Sequence, residues 1–282
     1  MSTPPLGLLL DVDGPLASPE TRAVDPFLLA DLRRLLAAGV PVVLNTGRSV
    51  DFVGERLLDP LVAAGLPDDA RLHAVCEKGG LWTTAGVGEV HVDPGLAVPE
   101  VCHAVLAELV GGEYGEAMFV DTSKRTMATV EARTDVSAAC FAEWQQRFDA
   151  ELAARLSAAG LGIRLGDQLR PDADGRTPWR IDPSVIATDV ESVRAGKALG
   201  ASRALDLLRE DGPLPAGWHT VGDSRSDYAM ADHLHGLGAD VTHVDVGPRA
   251  PLDRPYPVRT VPGASYAAAG GAHLRGLVAR LT

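Results

Sequence analysis

Apolar residues run unbroken from Leu6 to Leu10 and stop at Asp11, with Pro5 before them and Gly14 soon after. A run this short, closed at both ends, predicts a strand buried on both faces rather than a helix. From Pro26 to Ala38 the pattern changes: Phe27, Leu28, Leu32, Leu35 and Leu36 recur at helical spacing, and the repeat stops at Gly39. Val40 to Leu44 predicts a second buried strand, closed by Asn45, Thr46 and Gly47. Strand, helix and strand with short connections make a right-handed parallel unit, whose ligands sit at the carboxyl ends of the strands. Asp11 and Thr46 both fall there.

Ser49 to Ala64 predicts a further helix and Leu72 to Cys76 a third strand, after which the sheet pauses. Between Gly95 and Thr188 the rhythm differs. A helix (Pro99 to Val110) is followed by alternating strand-like runs (Met118 to Asp121, Thr126 to Ala132), a long helix (Val136 to Ala159) and strand candidates near Ile163 and Val185. Such a break in strict alternation suggests an α+β module inserted into an α/β domain. The α/β rhythm returns with a helix at Lys197 to Leu208, a strand at Trp218 to Val221, a helix at Tyr228 to Leu234 and a strand at Val241 to Val246. Pro248 to Pro262 reads as a surface loop before a terminal helix, Ala272 to Leu281. The expected fold class is α/β: a Rossmann-like three-layer core with a parallel sheet (residues 1-94 and 189-282) and an inserted α+β domain (residues 95-188).

Composition sharpens this outline. The 282 residues exceed the roughly 100–200 of a usual compact domain, which favours two. A hydrophobic content of 46% supplies apolar material for a real core. The net charge of -12, without a basic cluster, repels nucleic-acid phosphates and anionic membrane surfaces, so neither is an expected partner. Cys76, Cys102 and Cys140 have no zinc-like spacing and read as buried free thiols in a reducing compartment. No basic residue precedes the first apolar run, and no apolar stretch reaches about 18 residues, so a cytoplasmic location is expected.

The acidic residues change the picture more. Asp11-Val12-Asp13-Gly14 places two carboxylates at the end of a buried strand, where unpaired charge is costly. Far along the chain, Val221-Gly222-Asp223-Ser224-Arg225-Ser226-Asp227 repeats the design of a strand, a glycine and then acids. Together they suit a cation held by oxygen, and magnesium needs only two or three carboxylates when waters and a phosphate complete its octahedron.

Four segments in this order resemble the motifs of haloacid dehalogenase superfamily phosphatases: Asp11-Val12-Asp13, Thr46 in Asn45-Thr46-Gly47-Arg48, Lys197 in Ala195-Gly196-Lys197-Ala198, and Gly222-Asp223 with Asp227. The resemblance implies a magnesium-dependent enzyme. Asp11 would be the nucleophile and Asp13 the general acid/base. Magnesium would be held by Asp11, Asp13 through its backbone carbonyl, and Asp223, with Asp227 ligating through water or orienting the site. Thr46, Gly47 and Lys197 would bind the phosphoryl group. The family commonly has Thr or Val where Pro15 stands, and proline removes a backbone donor from that turn.

The long insert between Thr46 and Lys197 resembles the type 2 cap of the Cof-like, sucrose-phosphate and trehalose-phosphate phosphatases and of phosphomannomutases. A small phosphorylated metabolite, above all a sugar phosphate, is the implied substrate, with closure of the cap over it. Glu77-Lys78-Gly79-Gly80 sits where these relatives place a turn near the cap hinge. Lys78, Lys124 and Arg125 are candidate substrate-binding residues, each equally consistent with a solvated face. A phosphomutase and a non-catalytic sugar-phosphate sensor are the alternatives, and a homodimer is the expected assembly.

Plainer readings stand beside these. Asp13 and Asp227 taken singly suit helix or turn caps, and Lys197 suits a solvated helix. Arg48 suits fixing its loop. Ser224 lacks the Gly-x-Ser-x-Gly surroundings of a serine hydrolase. His233 and His235, two apart on a helix, point to different faces, and the stripe Phe141, Trp144, Phe148 reads as helix core.

Overall fold

The computed structural model describes residues 3–19 and 21–281. In chain order its elements are β1 (Leu6–Leu10), α1 (Pro26–Ala37), β2 (Val42–Asn45), α2 (Val50–Val53), α3 (Asp59–Ala63), β3 (Leu72–Cys76), β4 (Leu81–Thr84), β5 (Val90–Val92) and α4 (Glu100–Gly111). There follow β6 (Met118–Asp121), β7 (Ala128–Ala132), α5 (Ala138–Ala158), β8 (Ile163–Leu165), β9 (Gln168–Arg170), β10 (Trp179–Pro183) and β11 (Ala187–Ser192). The chain ends with α6 (Lys197–Asp211), β12 (Gly217–Gly222), α7 (Tyr228–Gly236), β13 (Asp240–Asp245), β14 (Val258–Arg259) and α8 (Tyr266–Leu281).

Two compact units result, one of residues 1–91 and 196–282 and the other of residues 92–195. The second unit runs on past Thr188 because β11 pairs with both β7 and β10 of its own sheet. Among the described residues no helix is long and apolar enough to cross a membrane.

The larger unit has a sheet in the order β14-β13-β12-β1-β2-β3-β4-β5. Its strands are parallel from β14 to β3. Alternation along the strands makes three layers. Leu8, Leu10, Val42 and Leu44 point into one apolar cluster with α1 and α8, whereas Leu9 and Val43 point into another with α6 and α7. The sheet does not pause after β3 as the sequence suggests, because β4 turns back antiparallel through Glu77–Gly79. The expected loop at Pro248 to Pro262 contains β14.

The helix expected over Ser49 to Ala64 is three consecutive helical pieces, α2, a π turn at Gly54–Leu58 and α3. Pro60 lacks the N–H that a regular helix would use there. Helix α8 begins at Tyr266, well before the expected Ala272. Its Gly270 reads as a breaker in sequence, yet a Cβ there would collide with the Pro15 carbonyl, so glycine lets the helix lie against the turn after β1. Close backbone approach is the use of this glycine.

The smaller unit has a sheet in the order β6-β7-β11-β10-β8-β9, antiparallel except where β10 meets β8. Helices α4 and α5 cover one face, where Phe141 and Phe148 are fully buried with Val130, Ile181 and Val190. Tyr114 meets the Trp144 and Phe148 rings edge-on, completing the aromatic stripe as core. The strand expected near Val185 is a hairpin, with Val185 exposed in its turn between β10 and β11. Cys76 and Cys102 are buried thiols, but Cys140 is exposed in the first turn of α5, which corrects the reading of all three as buried.

Candidate active site

Strand β1 lies between β2 and β12, so their carboxyl ends bring together segments more than 150 residues apart. Asp11 follows β1, Asn45 ends β2, and Asp223 and Asp227 follow β12. Asp11, Asp223 and Asp227 each offer a carboxylate oxygen, all within 4.8 Å of one another. Gly14 makes this possible: its φ is +89°, and a Cβ there would stand 2.5 Å from Oδ1 and 2.9 Å from Cβ of Asp223. An L side chain fits neither that backbone nor that space.

Lys197 opens α6 and enters this cluster with its side chain 9% exposed. Its Nζ is 2.6 Å from Asp11 Oδ1 and 2.8 Å from Asp227 Oδ1, and it donates to the Asn45 carbonyl at 2.8 Å. Asn45 answers with its side-chain amide, which donates to the Lys197 carbonyl at 2.9 Å. Gly200, one turn along α6, leaves Asn45 room, since a Cβ there would overlap the amide. On Asp227, Oδ2 accepts the Ser224 N–H at 3.0 Å and the Ser224 hydroxyl at 2.7 Å. Ser224 and Asp227 thus form a capping box, which the Ser-x-x-Asp spacing signals.

One ammonium among several acids sets the electrostatics. Burial works against the Lys197 charge, but the carboxylates of Asp11 and Asp227 outweigh it and take the group to about 12. Burial would raise Asp227, yet Lys197 and the Ser224 hydrogen bonds hold it below the usual carboxylate range. Asp11 moves well upward, through burial first and the Asp227 charge second, with Lys197 pulling back. Asp223 is pushed up to about 7 by burial and by Asp227. Two acids strained upward beside an all-oxygen donor set make a site that fits a hard divalent cation such as magnesium.

Asp13 has a different partner. Arg48 grips its carboxylate with Nε, 2.9 Å from Oδ2, and with Nη2, 2.9 Å from Oδ1, while the guanidinium lies over the Phe52 ring at 4.6 Å. Arg48 therefore does more than fix its own loop. Thr46 is fully buried, and its Oγ1 accepts the Arg48 N–H at 3.1 Å. Gly47 and Lys78 are neighbours in this unit, the lysine stem lying over the glycine. Lys124 and Arg125 lie in the turn between β6 and β7 of the smaller unit. Among the described residues the Ser224 hydroxyl meets Ser226 and Asp227, not a histidine.

The fold of the chain is similar to that of solved phosphatases, among them a haloacid dehalogenase-like hydrolase, in keeping with the sequence resemblance. No family model matches the sequence, and no curated protein matches it. Among solved structures, the C-terminal domain of C. albicans trehalose-6-phosphate phosphatase matches with a TM-score of 0.70 at 15% identity, over 99% of this chain and 93% of that one. A haloacid dehalogenase-like hydrolase from Bacteroides thetaiotaomicron matches at 0.62 and 13% identity, over 98% and 100%. The sucrose-phosphatase of Synechocystis sp., solved with sucrose and phosphate, matches at 0.53 and 14% identity, over 99% and 98%. At these identities the likeness is one of fold.

Proposed function

We propose that the chain is a magnesium-dependent phosphomonoester hydrolase acting on a small phosphorylated metabolite, in first place a sugar phosphate. The observation that carries this reading is the convergence of Asp11, Asp223 and Asp227 oxygens within 4.8 Å, with Lys197 bridging two of them. Asp11, Asp223 and the Asp13 backbone carbonyl would hold magnesium, with Asp227 orienting the site, and the ion would neutralise phosphoryl charge as a Lewis acid.

Asp11 attacks phosphorus, forming an aspartyl-phosphate as the bond to the leaving oxygen breaks. Asp13 gives that oxygen a proton, then takes one from the water that attacks the acyl phosphate, releasing phosphate and restoring Asp11. The Arg48 fork holds the Asp13 carboxylate in a fixed position through two charge-assisted hydrogen bonds. Proton donation requires that ion pair to loosen, and the Asp13 side chain is 37% exposed. The sheet face of the smaller unit turned away from its helices carries polar and charged side chains. There Thr129 donates to Asp189 at 2.7 Å, and Arg180 Nε donates to Glu191 at 2.8 Å.

Phosphate release is measured across phosphorylated sugars, glycerates, nucleotides and cofactors, with magnesium and with chelator. The expected result is magnesium-dependent release that Asp11→Asn abolishes without unfolding the chain. Release that persists in Asp11→Asn, or isomerised sugar phosphate in place of free phosphate, defeats the reading.

A further inference from the structure

Lys197 holds its ammonium 2.6 Å from Asp11 and 2.8 Å from Asp227 at the end of a flexible stem, whose freedom is costly to remove. Asn45 meets it at both ends. The Asn45 amide donates to the Lys197 carbonyl at 2.9 Å, which fixes the backbone at the start of α6, and the Asn45 carbonyl accepts from Nζ at 2.8 Å, which fixes the ammonium. Asn45 is fully buried at the end of β2, where its neighbour Leu44 is paired with Leu10, the residue before Asp11. Lys197 is therefore anchored to the strand that runs beside the one ending in Asp11.

Helix α6 is shaped around this contact. Gly200 lies in it with ordinary helical backbone, so its conformation does not call for glycine, and glycine inside a helix is destabilising relative to alanine. A Cβ at 200 would stand 2.5 Å from Cγ and 2.7 Å from Nδ2 of Asn45 and would overlap its Oδ1. That Oδ1 is buried with no hydrogen-bond partner among the described residues, a further cost. Alanine at both positions would remove the two costs together with the amide that reaches the Lys197 carbonyl. A weakened helix and an unpaired acceptor, both kept around one amide, point to a task for that amide beyond packing.

We propose that Asn45 is the positioning residue of Lys197, its amide and carbonyl together setting the ammonium where it serves Asp11, Asp227 and an entering phosphoryl group. The phosphoryl part rests on the phosphohydrolase reading; the placement is tested without turnover. The chain has three lysines, at 78, 124 and 197, so the ammonium resonances of the full chain carrying isotope-labelled lysine are few, and Lys197→Met identifies the one from Lys197. The variants are Asn45→Ala and Asn45→Ala with Gly200→Ala. In the second, the added Cβ fills space that the amide leaves and improves the helix, so the thermal midpoint lost in Asn45→Ala is largely regained while the donor to Lys197 is not. In both variants the Nζ protons exchange with water about fivefold faster or more, the change expected for a lost hydrogen bond. Inorganic phosphate, titrated calorimetrically with magnesium present, binds more weakly by a similar factor of about five.

Nζ exchange or phosphate affinity within about twofold of wild type in the folded double variant overturns the assignment, as does recovery of both along with the thermal midpoint, which would make the amide a packing group only. Faster exchange and weaker phosphate binding in a protein that hydrolyses no ester uphold the positioning role and defeat the hydrolase reading. Ester hydrolysis with exchange and phosphate affinity unchanged in the double variant does the reverse.

Discussion

Replacing Lys197 with methionine tests the electrostatic design of the site most directly. Methionine keeps an unbranched stem of similar length and removes the charge. The wild-type ammonium, 9% exposed, neutralises Asp11 at 2.6 Å and Asp227 at 2.8 Å, and it satisfies the Asn45 carbonyl. Removing one partner of a buried ion pair costs about 3–5 kcal/mol, because the other charge stays buried. At about 2–4 °C per kcal/mol for a unit of this size, the thermal midpoint at pH 8 falls by roughly 6–20 °C. The pH dependence gives the sharper signature. Lys197 titrates higher in the folded chain than when unfolded, so its contribution is whole at neutral pH and is lost only as pH rises towards about 12. Asp227 titrates lower when folded, so its contribution is lost as pH falls through that depressed value. Without the ammonium, Asp11 and Asp227 take up protons more readily, and the deficit of Lys197→Met shrinks between pH 8 and pH 5. Scanning calorimetry at both pH values decides: a midpoint within about 2 °C of wild type at pH 8, or an equal deficit at both, refutes the reasoning.

Three other perturbations have defined outcomes. Gly14→Ala must accommodate φ +89° and a Cβ pressed on the Asp223 carboxyl, so magnesium affinity, read from the rise in thermal midpoint with added magnesium, falls about tenfold or more. Arg48→Gln loses both the fork to Asp13 and the contact with Phe52; kcat for ester hydrolysis falls about tenfold or more, as expected for a displaced acid/base group. Asp149, buried in the smaller unit and accepting a hydrogen bond from Thr188, titrates at about 6. Its folded pKa lies above the unfolded one, so folding retains a proton and stability falls as pH rises from about 4 to 6. Asp149→Asn removes that slope and, at pH 8, stabilises the unit by an amount on the order of 2–3 kcal/mol, measurable by urea denaturation at pH 4.5 and pH 8.

Local sequence went far in outlining the core and its chemistry. Strands β1, β2 and β3 are short, mainly apolar runs ending at polar residues or glycine, a pattern that follows from burial on both faces, whereas β12 and β13 interleave polar residues such as Thr220, Thr242 and His243 with apolar ones and bury them too. Asp11, Asp13, Thr46, Lys197, Asp223 and Asp227 were legible because each stands at the end of such a strand or the start of a helix. The half-exposed β4, the two-residue β14 and the hairpin around exposed Val185 carry no such pattern, since their strand character depends on the neighbour they pair with.

Other features belong to the tertiary structure alone. Gly270 reads as a helix breaker until the Pro15 backbone is seen against it, and Arg48 reads as a loop residue until Asp13, 35 positions away, is seen in its fork. That Lys197 lies between Asp11 and Asp227 follows from the placing of β1 beside β12. Sequence by itself determined which residues could end a buried strand with a charge. Only the folded chain decided which of those charges meet, because Coulombic and hydrogen-bond partners are set by separations of a few ångströms in space, whatever their distance along the chain.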